Sequence, residues 1–193
     1  METKGDLNQM IELILSGHKQ ACSELYEMTI QDVYKNVHFL IEDKADVDDI
    51  VQDIYIQLFN SLRKYDGTRP FKPWLMGIVI KQIQAYRRKR WMKFRISKKV
   101  EEFEQVIVLD FSNEIIDKIS NQLLVKLVEE LPYKLKQVMI LRYLNDYSQE
   151  EVARILEIPV GTVKSRINAG LNKLREKVKN RNISEKVRNA YEY

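Results

Sequence analysis

An all-α chain of two small helical domains joined by a flexible linker is what this sequence predicts, and three observations carry that expectation. Glycine and proline are scarce, 6 and 4 of 193 residues, which disfavours a fold built from strands and tight turns. Apolar residues recur at steps of three and four along most of the chain, the spacing of one helix face. That period is lost between Ser97 and about Asn113, where Lys98, Lys99, Glu101, Glu102 and Glu104 precede a short apolar run from Val106 to Leu109. The expected division is a first domain over 1–96, a linker over 97–113, a second domain over 114–178 and a polar tail over 179–193 that frays or forms one loose helix.

Composition narrows the function classes. Apolar residues make up 45% of the chain and charged residues 31%, enough for real cores beneath a highly charged surface. The net charge of +4 is a modest bias toward nucleic acid, and the charge is blocked rather than mixed. No apolar run is long enough to span a bilayer, and no signal peptide is evident. The single cysteine, Cys22, allows no internal disulfide and fits a reducing cytoplasm; it reads as a small apolar residue on a helix.

The elements follow in order. Leu7 to Leu15 reads as a short helix broken at Ser16–Gly17. Lys19 to Ile41 reads as one long helix or two abutting ones, with Leu25, Tyr26, Met28, Val33, Tyr34, Val37, Phe39 and Leu40 as core. His18 and His38 stand apart from any metal-ligand spacing. Asp46 is placed to cap the next helix, with Asp49 at its third position and Asp48 favouring the positive end of its dipole. Val47, Ile50, Val51, Ile54, Leu58 and Leu62 form its buried stripe. Asp49, Gln52, Asp53 and Asn60 lie opposite, with Ile56 in their midst. An apolar residue ringed by acids suits a protein partner of basic, apolar character; scattered surface apolar residues are also common.

Tyr65 to Pro70 is a turn-rich joint. A helix follows from about Phe71 to Arg90, with Pro73 tolerable in its first turn. Leu75, Val79, Gln82, Ile83 and Tyr86 share one face; Trp74, Gly77, Lys81, Gln84 and Arg88 share a second, although Trp74 serves equally well in a core. Arg87 to Arg90, then Trp91, Lys93, Phe94 and Arg95, interleave cations with rings, a pattern that fits a nucleic-acid surface. A helix C-terminus dressed with cations for its dipole would need only two or three.

Beyond the linker, Glu114 to Glu130 resumes a helix through Ile115, Ile119, Leu123, Leu127 and Leu131. Pro132 suits a first helical position. Ser148 with Glu151 is a capping box that opens a helix burying Val152, Ile155 and Leu156. Pro159 ends it, and Gly161–Thr162 open the next. Two helices on a tight joint are the helix-turn-helix plan, whose second helix enters the major groove. On that second helix Val163, Ile167, Gly170, Leu171, Leu174 and Val178 gather on the core side. Ser165, Asn168, Ala169 and Asn172 face away, flanked by Lys164 and Arg175 on one edge and Arg166 and Lys173 on the other. Polar groups meet base edges there, and cations meet phosphates.

Two blocks in this order resemble a known family. DVDDIVQDIYIQLFNSLRKYDGTRPFKPWLMGIVIKQIQAYRRKR resembles the second region of bacterial sigma factors. LPYKLKQVMILRYLNDYSQEEVARILEIPVGTVKSRI resembles their fourth. The spacing leaves no room for the intervening domain of larger sigma factors, so the chain looks like the extracytoplasmic-function (ECF) group. The resemblance implies that Asp49, Ile50, Gln52, Asp53 and Ile56 dock on core RNA polymerase. It implies that the loop from Asp66 to Phe71, including Gly67, Thr68 and Arg69, captures a base flipped from the −10 strand. It implies that Lys81, Gln84 and Arg88 contact the same element. It implies that Lys164, Ser165, Arg166, Asn168 and Ala169 read the −35 element. The chain departs from the family at Lys81, where many relatives carry Asn, at Ala169, often basic, and at Gly170, usually alanine, a change worth about 1 kcal/mol of helix stability.

The expected function is a sigma factor, with core RNA polymerase, promoter DNA and an anti-sigma factor as partners. No catalytic residue, metal, cofactor or small-molecule substrate is expected. A stand-alone helix-turn-helix regulator is the alternative. For an enzyme on nucleic acid, the carboxylates from Asp46 to Asp53 could in principle hold Mg²⁺, but their spread along a helix favours caps and a docking face.

Overall fold

A computed structural model describes residues 4–97 and 122–191, with side chains placed for most of both stretches. All eight helices among the described residues fall into two compact units, divided at Val108–Leu109. The expected linker from 98 onward, and Ile115 and Ile119 of the expected helix beyond it, lie outside the described residues.

The first unit holds α1 (Lys4–Leu15), α2 (Lys19–Leu40), α3 (Val47–Ser61) and α4 (Phe71–Ser97). Gly17 breaks α1 from α2: its φ of +94° is open to glycine at no steric cost, and the His18 amide donates back to the Leu13 carbonyl. α2 is one helix. It buries Leu25, Val33, Val37 and Leu40 against the whole expected stripe of α3, Val47 through Leu58, continued by Leu62. α4 closes the core with Leu75, Met76, Val79, Ile80 and Ile83. Burial of these side chains, roughly 1.5–3 kcal/mol each, is what orients the four helices. A polar pair lies inside: the Thr29 and Tyr55 hydroxyls share a 2.8 Å hydrogen bond, and burial pushes the Tyr55 phenol up to about 12.

Three expectations are corrected here. Tyr26, taken as core, is 43% exposed, its ring leaning on Tyr55 at 4.6 Å between centroids. α4 runs on past Arg90 to Ser97, so the basic–aromatic run is helical throughout; arginine, lysine and methionine are strong helix formers, and nothing there breaks the chain. Asp46 occupies the N-cap of α3 without capping it. Its carboxylate instead accepts a 2.6 Å hydrogen bond from the Tyr86 hydroxyl. Capping passes to Asp43, which accepts from the Ala45 amide at the head of a 3₁₀ turn over Lys44–Asp46.

The second unit holds α5 (Gln122–Glu129), α6 (Tyr133–Met139), α7 (Gln149–Leu156) and α8 (Val160–Tyr191). Pro132 sits one place earlier than expected, at the N-cap of α6, where its carbonyl accepts from Leu135 and Lys136. A π turn over Ile140–Leu144 carries α6 into the loop, and the Arg142 guanidinium ties the loop back by donating to the Tyr147 carbonyl at 3.0 Å. The capping box forms as expected: the Glu151 amide donates to Ser148 Oγ at 3.1 Å, and the Ser148 amide donates to the Glu151 carboxylate at 2.8 Å.

α7 ends at Leu156, with Glu157 left-handed at φ 54°. Pro159 does not end α7 but starts α8, its carbonyl accepting from Thr162 and Val163. Val163, Ile167, Gly170 and Leu174 of α8 are buried against α6 and α7, whereas Val178, expected in that stripe, is exposed. The polar tail continues α8 as far as Tyr191.

Candidate functional site

Three surfaces emerge, two on the first unit and one on the second. The first is the outer face of α3. Asp49, Gln52, Asp53 and Asn60 are exposed there, and Ile56 stands 54% exposed among them. Ile50 does not belong to this surface. It is 5% exposed and packs in the core, because it lies one face away from Gln52 and Ile56 on the helix. It can support a docking face only from beneath.

The second surface is the loop before α4 and the outer side of α4. Asp66 Oδ1 accepts from both the amide (2.9 Å) and the hydroxyl (2.7 Å) of Thr68, a side-chain-closed turn. These two donors hold the Asp66 carboxyl below its usual range. Gly67 completes the turn with φ +70°. The Tyr65 hydroxyl donates to the Arg69 carbonyl at 2.7 Å and so spans the loop. Thr68 and Arg69 are left exposed. Phe71 is 5% exposed and is corrected as a DNA contact. Its ring meets Tyr65 edge-on at 5.4 Å and Trp74 at 5.6 Å, an aromatic footing beneath the loop. Tyr65 was absent from the expected site, yet it anchors both the loop's backbone and its base.

Along α4, Lys81 and Arg88 are exposed and Gln84 is half-buried. The basic run divides by face. Arg87 pairs with Glu42 at 2.7 Å, and Arg90 with Asp43 at 2.8 Å. Arg90 also donates to the Tyr86 hydroxyl at 2.9 Å and lies 3.7 Å from Asp46. These two arginines therefore tie α4 to the joint between α2 and α3. Burial, helped by the hydrogen bond to Asp46, pushes the Tyr86 phenol up to about 12. The Arg90 guanidinium holds the Asp43 carboxyl below its usual range. Among the described residues, no carboxylate pairs with Arg88, Lys89, Lys93 or Arg95.

The third surface is the start of α8. Lys164, Ser165, Asn168 and Ala169 are exposed and Arg166 is half-buried, at the end that a helix-turn-helix presents to a groove. Ser165 Oγ donates to the Thr162 carbonyl at 3.0 Å, so toward a base it can act as an acceptor. Asn172 and Arg175, a turn further on, bond each other at 3.0 Å. Among the described residues no cluster of three or more His, Cys, Asp or Glu could hold a metal, and no helix is long and apolar enough to cross a membrane.

An exposed acidic face and a cationic helix on one unit, with a helix-turn-helix on the other, define a DNA-binding protein of transcription. Comparison with known proteins gives the particular family. Residues 25–92 match the Sigma-70 region 2 family and residues 121–174 match Sigma-70, region 4. The ECF RNA polymerase sigma factor SigW of Bacillus subtilis is 25% identical over 190 residues, covering 90% of this chain and 97% of that protein. The ECF RNA polymerase sigma-E factor of Escherichia coli is 30% identical over 131 residues, covering 64% and 69%. The chain belongs to the ECF RNA polymerase sigma factors. Its function is to direct promoter-specific transcription initiation. In structure it resembles the sigma factor RpoE of Bartonella quintana, solved in complex with the anti-sigma factor NepR. The TM-score is 0.67 at 21% identity, covering 81% of this chain and 96% of that one.

Proposed function

We propose that the three surfaces divide the work of initiation between them. Asp49, Gln52, Asp53 and Ile56 dock on core RNA polymerase. Asp66, Gly67, Thr68 and Arg69 form a base-capturing loop at the −10 element, which Lys81, Gln84 and Arg88 grip along α4. Lys164, Ser165, Arg166, Asn168 and Ala169 read the −35 element. The observation that carries this reading is the exposure of Ile56 within an acidic face, on the same unit as a long cationic helix. The two charges serve different partners, one a basic protein surface and the other DNA.

On this reading residues 1–96 and 114–178 act as separate modules, and the tether between them makes two weak DNA sites act as one strong site. Strand opening needs no covalent chemistry: capture of an unstacked base offsets an unpairing cost of a few kcal/mol. The protein acts in the cytoplasm, is not an enzyme, and is held in check by an anti-sigma protein, as its structural relative from Bartonella quintana is bound by one. The test is co-purification. The full chain is expected to elute with core polymerase, and Ile56→Arg to elute apart from it while keeping the parent's helical content. Parent affinity in Ile56→Arg would remove the docking role.

A further inference from the structure

The outer stripe of α4 does not stop at Arg88. Steps of three and four carry it on from Trp74, Gly77, Lys81, Gln84 and Arg88 to Trp91 and Arg95. Trp91 is 58% exposed, the largest exposed fraction among the big apolar side chains of the described residues, and Met92 beside it is nearly as open. The Arg95 guanidinium lies over the Trp91 ring at 4.7 Å. α4 contains no acidic residue over its 27 positions. Of the carboxylates it meets, Asp32 pairs with Lys72 in its first turn, and Glu42, Asp43 and Asp46 are engaged by Arg87 and Arg90. The indole and its cation thus stand on a face of one charge. An exposed indole gains only a little stability from the guanidinium laid over it, and that guanidinium stands in place before any ligand arrives.

We propose that Trp91 and Arg95 form a further DNA contact, on the duplex immediately upstream of the −10 element, with Arg95 on a phosphate and the indole against the adjoining deoxyribose. This rests on the proposed −10 role of the same helix. Ten residues separate Lys81 from Trp91, about 15 Å along a helix. At about 3.4 Å per base pair that is some four base pairs from the Lys81 contact. The direction proposed is upstream, since the unit proposed to read the −35 element follows α4 in sequence. The contact is to the backbone, so it adds affinity at every promoter rather than choosing among them.

The test uses the reconstituted holoenzyme and a promoter fragment, with and without neutral methylphosphonate linkages in that flank. Arg95→Gln is expected to lower the slope of log affinity against log salt by about one on natural DNA, the share of one phosphate contact. On the methylphosphonate fragment it should lose nothing further. Trp91→Ala is expected to weaken binding by about fivefold, the low end of an aromatic contact to nucleic acid, and Trp91→Phe to restore most of it. Parent-like promoter binding by both Trp91→Ala and Arg95→Gln, or an Arg95→Gln penalty that persists on the neutral flank, overturns the contact. A loss of affinity for core polymerase without DNA also overturns it, since the stripe would then serve a protein. Arg88→Gln separates the two levels: if it weakens −10 binding while Trp91 and Arg95 variants do not, only the upstream contact falls. If all three bind promoter DNA as the parent does, the −10 role of α4 falls with it.

Discussion

The Tyr86 hydroxyl donates to the Asp46 carboxylate at 2.6 Å, across 40 residues of sequence. This bond joins the start of α3, which carries the proposed docking face, to the cationic end of α4, which carries the proposed DNA face. Arg90 completes the joint through Asp43, Asp46 and Tyr86. The angle between α3 and α4 is held by packed apolar side chains and by this polar cluster.

Tyr86→Phe removes the donor and leaves the half-buried Asp46 carboxylate short of a partner. A loss of about 1 kcal/mol is expected, seen as a fall of a few degrees in the melting temperature of the full chain. Promoter binding should fall more than the melting shift accounts for, because the basic end of α4 is no longer held.

Acid should loosen the same joint. The folded Asp43 carboxyl titrates below its ordinary value of 3.8, chiefly through its hydrogen bond to Arg90. Its contribution to stability is present above that ordinary value and is lost as pH falls through the lower, folded one. Asp43→Asn is expected to flatten this acid-side loss in thermal melts. An unchanged acid limb would show that the pair is screened by solvent.

Ile56 and Ile50 separate surface from core six residues apart. Ile50→Asp places a charge among Val47, Ile54 and their neighbours and should unfold the first unit. Ile56→Arg should leave the stability within about 0.5 kcal/mol of the parent's, as surface substitutions do, while losing core polymerase.

Gly170 lies where a Cβ would come within 3.0 Å of Met139 Cγ and Sδ. Glycine here leaves room for the Met139 side chain of α6. Gly170→Leu is expected to cost roughly 1–3 kcal/mol through overpacking, measured by denaturant titration. Stability equal to the parent's would mean that α6 gives way freely.

Much of the fold was legible because a helix face repeats along the chain. The stripe from Val47 to Leu62, the capping box of Ser148 and Glu151, and the exposed Ile56 follow from local spacing alone. Local spacing is silent about which element lies opposite. Tyr26 shares the period of the core yet leans outward on Tyr55, and Val178 keeps the period of α8 beyond the reach of α6 and α7. Phe71 reads as a loop residue until Tyr65 and Trp74 close around it. In the basic run, Arg87 and Arg90 look like Arg88 and Lys89; only the carboxylates of a joint more than 40 residues earlier single out the two that tie helices together. Gly170 reads as a weakness in α8 until Met139 is seen beside it.

The most direct measurement is run-off transcription by purified core polymerase with the full chain added, on a promoter altered in turn at its −10 and −35 elements. Asn168→Asp, which adds repulsion toward phosphate and removes a donor, should lower output from the intact promoter and be nearly indifferent to a change in the −35 element. Asp66→Ala should behave likewise toward the −10 element, and Ile56→Arg should be silent on every template. Equal sensitivity of all three variants to both elements, or no promoter-specific transcript while the free protein protects a palindrome, would contradict the division of labour.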